Sequence, residues 1–117
     1  MGKNTYTVYH NNRCSKSRCA IAHLDEKNAD YEVIEYLKNP LTASELTEVL
    51  RQLDIPAIEL IRKGEKDFKE NFKGKDLSEQ EWIDAMVNYP KLIERPIIVK
   101  NGKAVIGRPT ERIDELN

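Results

Sequence analysis

Tyr6-Thr7-Val8-Tyr9-His10-Asn11-Asn12-Arg13-Cys14-Ser15-Lys16-Ser17-Arg18 decides how the rest of the chain is read. Its first four residues are β-branched or aromatic, and the polar run from His10 to Arg13 predicts a strand that empties into a loop. Beyond Cys14, the residues Ala20, Ile21 and Leu24 recur at helical spacing in a segment ending near Asn28, so a helix is expected over Ser15 to Lys27. The thiol of Cys14 therefore stands where a strand turns into a helix.

Working outward, Tyr31 to Leu37 alternates Tyr, Val, Ile and Tyr with acidic residues and is stopped by Asn39-Pro40, which predicts a second strand. Strand, helix and strand form a βαβ unit, expected to be parallel and right-handed. From Leu41 to about Ile93 no strand is convincing, and this stretch reads as a helical insert. Two capping boxes, Thr42-Ala43-Ser44-Glu45 and Ser78-Glu79-Gln80-Glu81, mark helix starts within it. Leu46, Val49, Leu50 and Leu53 line one helix face, and Trp82, Ile83, Met86 and Val87 line another. Pro56 to Ile61 reads as a short helix with Arg62 at its end. The charged stretch Lys63 to Lys75 is expected to be the most mobile part, with room for a short helix around Phe68 and Phe72.

Ile97-Ile98-Val99-Lys100, Asn101-Gly102 and Lys103-Ala104-Val105-Ile106 form a hairpin signal, because Asn-Gly supplies the positive φ values of a type I′ turn. Pro109, followed by the apolar Ile113 and Leu116, predicts a closing helix. The fold class is α/β, a mixed β-sheet with flanking helices and a helical insert over about 41–93, in a single domain of 117 residues. Nineteen basic against 20 acidic side chains leave a net charge of −1, which gives no general attraction to nucleic acid or to an anionic membrane. Two cysteines cannot build a disulfide framework, and the longest aliphatic run, Ile97-Ile98-Val99, is far too short to span a bilayer. The expected compartment is the cytoplasm.

At the amino terminus of a helix, unpaired backbone N–H groups and the helix dipole favour an anion, and a thiolate is one. Cys14 is therefore a candidate nucleophile, activated by its position and by neighbouring cations. The alternative is a small buried apolar residue. His10 could orient the thiol or take its proton, or be a plain strand-end histidine. Cys19 lies five residues on. Along a regular helix that offset separates the Cα atoms by roughly 8 to 9 Å, beyond the bridging limit of about 7 Å. A Cys-x-x-Cys pair would come closer, but Ser17 occupies that second position, so Cys19 reads as a helix residue. His23 reads as structural, and Lys16, Arg18 and Lys63 as solvated charges that add positive potential.

His10-Asn11-Asn12-Arg13-Cys14-Ser15-Lys16-Ser17-Arg18 resembles the active-site loop of the thioredoxin-fold, glutaredoxin-dependent arsenate reductase family. Leu60-Ile61-Arg62-Lys63, Glu94-Arg95-Pro96-Ile97-Ile98-Val99 and Gly107-Arg108-Pro109-Thr110-Glu111 resemble that family's three arginine-bearing motifs, in the same order. The resemblance spans almost the whole chain and is nearest to a branch that carries Cys-Ser-Lys-Ser-Arg.

The resemblance implies that Cys14 attacks the arsenic of arsenate or a related oxyanion, with His10 beside it, while Arg62, Arg95 and Arg108 bind the substrate together with Ser17 and Pro96. Guanidinium groups suit this task, since they present forked donors to tetrahedral oxyanions and stay charged at physiological pH. It further implies glutathione as co-substrate, glutaredoxin as partner, no bound cofactor or metal, and a cis peptide bond before Pro96. Asn12 stands where the family usually has proline, which implies a looser loop. Two other functions share these features. One is an Spx-like redox-sensing transcription regulator, whose switch normally needs the second thiol that Ser17 replaces. The other is a glutathione-linked thiol oxidoreductase without arsenate activity.

Overall fold

The computed structural model describes residues 5–11 and 14–116, without the side chain of Lys16. The looser loop expected at Asn12 lies outside the described residues, as do Arg13 and the contribution of the Lys16 ammonium. The chain forms two compact units, one built from the chain up to Asn39 and from Arg95 onward, the other from Pro40–Glu94.

The first unit holds the sheet. Strand β1 (Tyr6–His10) buries Tyr6, Val8 and His10, the alternate residues that a pleated strand sends to one face. It pairs in parallel with β2 (Tyr31–Glu35) and antiparallel with β3 (Ile97–Lys100), which pairs in turn with β4 (Lys103–Ile106). The strand order is β2-β1-β3-β4, a mixed sheet, and β1 is connected to β2 through helix α1 (Ser15–Glu26). This is the thioredoxin-like arrangement that the resemblance implies. Strand β2 stops at Glu35 instead of reaching Leu37, because its ladder ends where β1 ends: His10 is the register partner of Glu35. Tyr36 then begins a turn in which the N–H groups of Lys38 and Asn39 donate to the Glu35 carbonyl.

Helix α1 turns Ser17, Ala20 and Leu24 inward, three positions on one helical stripe, and leaves Arg18 and Cys19 exposed. Asn28, at φ 54°, ends it in the left-handed conformation that asparagine tolerates. The hairpin turn takes Asn101 and Gly102 to φ 53° and 79°, as a type I′ turn requires. The closing segment, Thr110–Leu116, is a 3₁₀ helix, and its buried residues Ile113 and Leu116 stand three apart, one 3₁₀ turn. Those two close a core with Tyr6, Val8, Ala20, Leu24, Ile98 and Val105. At the rim, the Asp114 carboxylate accepts from Lys27 and pairs with His23, both at 3.0 Å, so His23 joins α1 to the closing segment.

The second unit is helical. Helix α2 (Ala43–Leu53) and the later Glu79–Asn88 helix both open with complete capping boxes: the Thr42 and Ser78 hydroxyls accept from Glu45 and Glu81 N–H, and those glutamates reach back to the cap N–H groups. Between them lie a 3₁₀ turn (Ala57–Leu60) and helix α3 (Lys66–Asn71), so Glu79–Asn88 is α4. Phe68, buried in α3, stacks on Trp82 with ring centroids 6.1 Å apart, and Phe72 meets the edge of Tyr89. The stretch read as mobile therefore contributes a buried aromatic contact. A bridge between Ile61 and Ile93, with Arg62 N–H donating to Leu92 and Glu94 N–H to Leu60, fixes the backbone on both sides of Arg62. Among the described residues, no helix is long and apolar enough to cross a membrane.

Candidate active site

Cys14 is the N-cap of α1, with extended backbone (φ −99°, ψ 122°) and no side-chain capping bond, so its side chain is not used to finish the helix. Its carbonyl receives the Arg18 N–H at 3.1 Å, the first intrahelical bond, and its own N–H donates to Asn11 across the loop at 2.9 Å. The residue is only 8% exposed. Ser17, fully buried, accepts from the Asn11 N–H at 3.4 Å, so the hydroxyl in the place of a second thiol braces the loop that delivers Cys14.

Arg108 reaches this thiol. Its Nη2 donates to Cys14 Sγ at 3.5 Å, and its Nε donates to the Arg95 carbonyl at 2.6 Å. One planar guanidinium thus spans the sulfur and the carbonyl of the Arg95–Pro96 peptide, a bond that is cis, as is Arg108–Pro109. A cation at this distance favours the thiolate over the thiol, and the helix amino terminus acts in the same direction. Pro96 is buried and accepts the Gly107 N–H at 2.9 Å, which sets the chain just before Arg108. Gly107 has no spare room: a Cβ there would come within 2.9 Å of Ile98 Cδ1 and 3.1 Å of Pro96 Cγ.

His10 ends β1, 9% exposed, and its Nδ1 has no hydrogen-bond partner among the described residues. Burial holds its pKa below the usual 6.5, Glu35 opposes that shift and Arg18 adds to it, so the ring is neutral at physiological pH. A buried neutral imidazole with an unused nitrogen is suited to accept a proton or a hydrogen bond from a bound group.

The first unit brings together Cys14, Ser17, Arg95, Pro96 and Arg108 through these contacts, with His10 at the strand end that feeds the loop. Arg62 belongs to the second unit and has its own partners: Nη1 donates to Glu65 at 3.0 Å and Nε faces Glu94 at 3.4 Å. Neither glutamate stands out in the sequence as a site residue. Glu65 lies three positions after Arg62 in a turn, a nearness in the chain that could have suggested the pair. Glu94 carries no such signal, because only the Ile61–Ile93 bridge brings it beside Arg62. Cys19 is exposed, and neither it nor Cys14 is in a disulfide. No cluster of His, Cys, Asp or Glu among the described residues could hold a metal ion.

A thioredoxin-like sheet with a cysteine at the N-cap position of its first helix and an arginine on the sulfur defines the class of fold. Comparison with known proteins narrows it: the ArsC family pattern matches residues 9–116. The chain belongs to the ArsC family. It is 48% identical over 111 residues to the uncharacterized protein YfgD of Escherichia coli (strain K12), covering 93% of each chain. It is 37% identical to the arsenate reductase of Neisseria meningitidis serogroup A, covering 92% of this chain and 93% of that one. Among solved structures, the arsenate reductase from Vibrio cholerae superposes with a TM-score of 0.92 at 38% identity, over 97% of this chain and 98% of that one.

Proposed function

We propose that this protein is an arsenate reductase in which Cys14 is the nucleophile. The observation that carries the reading is the Arg108 guanidinium 3.5 Å from Cys14 Sγ, at the amino terminus of α1. The family and the arsenate reductases that this chain resembles supply the substrate. The Cys14 thiolate attacks arsenic(V), a sulfur–arsenic bond forms, and an arsenate oxygen leaves as water. Arg95 and Arg108 hold the remaining oxygens, with donors that are charged at every physiological pH, and Arg62 is the further donor that the family resemblance implies. His10, neutral and buried, serves the proton traffic at the thiol, while Ser17 and Pro96 shape the pocket wall.

A glutathione thiol then attacks Cys14 sulfur in the adduct. The sulfur–arsenic bond breaks, its electron pair stays on arsenic, and arsenite leaves. Two thiols have become one mixed disulfide while arsenic(V) has become arsenic(III). Glutaredoxin reduces the mixed disulfide and restores the Cys14 thiol. No bound cofactor enters these steps, and the setting is cytoplasmic, where glutathione is reduced.

A coupled assay with arsenate, glutathione and glutaredoxin tests the reading. Turnover that depends on all three and vanishes in Cys14→Ser is expected. Thiol exchange with glutathione but no arsenate turnover would make the protein a general glutathione-linked oxidoreductase.

A further inference from the structure

The guanidinium of Arg62, in the proposed oxyanion set, faces two carboxylates. Nη1 donates to Glu65 at 3.0 Å and Nε lies 3.4 Å from Glu94. A guanidinium grips a tetrahedral oxyanion with two parallel bonds through one of two edges, Nε with Nη2 or Nη1 with Nη2. Each edge contains a nitrogen that a glutamate already faces. The three side chains are only 25 to 28% exposed, so water screens the pairs less than it does on an open surface. Two carboxylates thus compete with an incoming anion for one guanidinium.

The carboxylates are held in place independently of any ligand. Glu94 is fixed by its N–H bond to Leu60 and by the adjacent Ile61–Ile93 bridge, and Glu65 by its N–H bond to the Arg62 carbonyl at 3.1 Å. Both positions follow from backbone that the second unit supplies itself.

We propose that Glu65 and Glu94 are positioning residues that clamp Arg62 and set its affinity for an oxyanion. An oxyanion that takes a full edge of Arg62 displaces a carboxylate or shares its nitrogen, and that competition weakens binding. The clamp keeps the forked donor of the second unit's motif paired until a ligand able to compete for it arrives. This inference rests on the arsenate reading for its ligand, but the occupancy of Arg62 is a property of the protein alone.

The experiment has two arms, on wild type, Glu65→Gln, Glu94→Gln and the double variant, each first checked for its native circular dichroism. In the first, butane-2,3-dione modifies arginines and peptide mass mapping follows Arg62. Labelling of Arg62 is expected to be faster in the single variants and fastest in the double variant. In the second, steady-state kinetics with arsenate are expected to show KM falling by up to about fivefold per variant, the range a partly screened ion pair supplies, with kcat little changed. In the Arg62→Ala background the same glutamine substitutions should leave KM where it is. Equal Arg62 labelling in wild type and double variant, or an arsenate KM that stays level or rises on loosening the clamp, would overturn the proposal. Faster labelling in a protein that does not turn over arsenate would instead remove the arsenate reading and leave the clamp standing.

Discussion

Arg108 touches Cys14 from 94 residues away, Nη2 to Sγ at 3.5 Å, while its Nε is anchored on the Arg95 carbonyl at 2.6 Å. The anchor fixes the plane of the guanidinium, so the contact to sulfur is built in before any substrate binds. Replacing Arg108 by Ala should lower arsenate turnover on the order of 10²-fold, as the loss of an oxyanion donor does. Lys should not restore it, since an ammonium cannot span both acceptors. Kinetics of the two variants, with folding verified, decide this; full activity in Arg108→Lys would show that charge alone suffices.

The buried thiol and the exposed one should separate in their reactivity. Exposure favours modification of Cys19, whereas the helix terminus and Arg108 favour the thiolate at Cys14. At neutral pH iodoacetamide should label Cys14 ahead of Cys19 despite the burial of Cys14. Faster labelling of Cys19 would remove the activated thiol. Cys19→Ser should keep most turnover and Cys14→Ser none.

His10 gives a pH dependence of stability with a definite sign. Burial, aided by Arg18 and opposed by Glu35, lowers its folded-state pKa below 6.5. The unfolded chain therefore binds the proton first as pH falls. Stability contributed by the neutral ring is complete above about 6.5 and is lost as pH drops through the lower folded-state value. Urea midpoints between pH 7.5 and 5 should fall more steeply in wild type than in His10→Gln. Identical slopes would show that the ring is not held neutral by the fold.

Much of this architecture is legible from local chemistry, and the exceptions have physical reasons. The hairpin and the two capped helices are written in residues whose own preferences match the observed geometry, Asn101-Gly102 at positive φ and Thr42 and Ser78 bonded to Glu45 and Glu81. The end of β2 is not legible from Tyr31 to Leu37, because a strand is as long as its partner allows. The 3₁₀ form of the closing segment is likewise not legible, because Ile113 and Leu116, three apart, would share one face of an α-helix equally well. At the site, motif order points to Cys14 and Arg108, but only the fold shows them in contact. The pairing of Glu94 with Arg62 is invisible in the sequence because a backbone bridge creates it.

The capping boxes offer a quantitative check. Thr42→Ala or Ser78→Ala removes the acceptor for an N3 amide and should cost about 1 kcal/mol each. Urea denaturation monitored at the α2 and α4 amides by hydrogen exchange would register it; a loss within error in both variants would mean that solvent replaces the cap.

Gly107 should tolerate no side chain. An alanine Cβ would press on Ile98, which is fully buried, and on the rigid Pro96 ring, so Gly107→Ala is expected to destabilise by about 1–3 kcal/mol. Because Arg108 follows directly, turnover should fall in molecules that remain folded. A thermal midpoint equal to wild type would show that Ile98 moves aside without cost.

The central place of β1 in the sheet governs the order in which the protein can be completed during synthesis. Thr7 pairs with Val99, so the amino-terminal strand leaves the ribosome long before one of its two neighbours exists. Pro40–Glu94, by contrast, is contiguous in the sequence. The nascent chain must carry a half-paired strand, rich in aromatic and β-branched side chains, through more than 90 residues of elongation. Its unpaired flank is a ready target for chaperones during that interval.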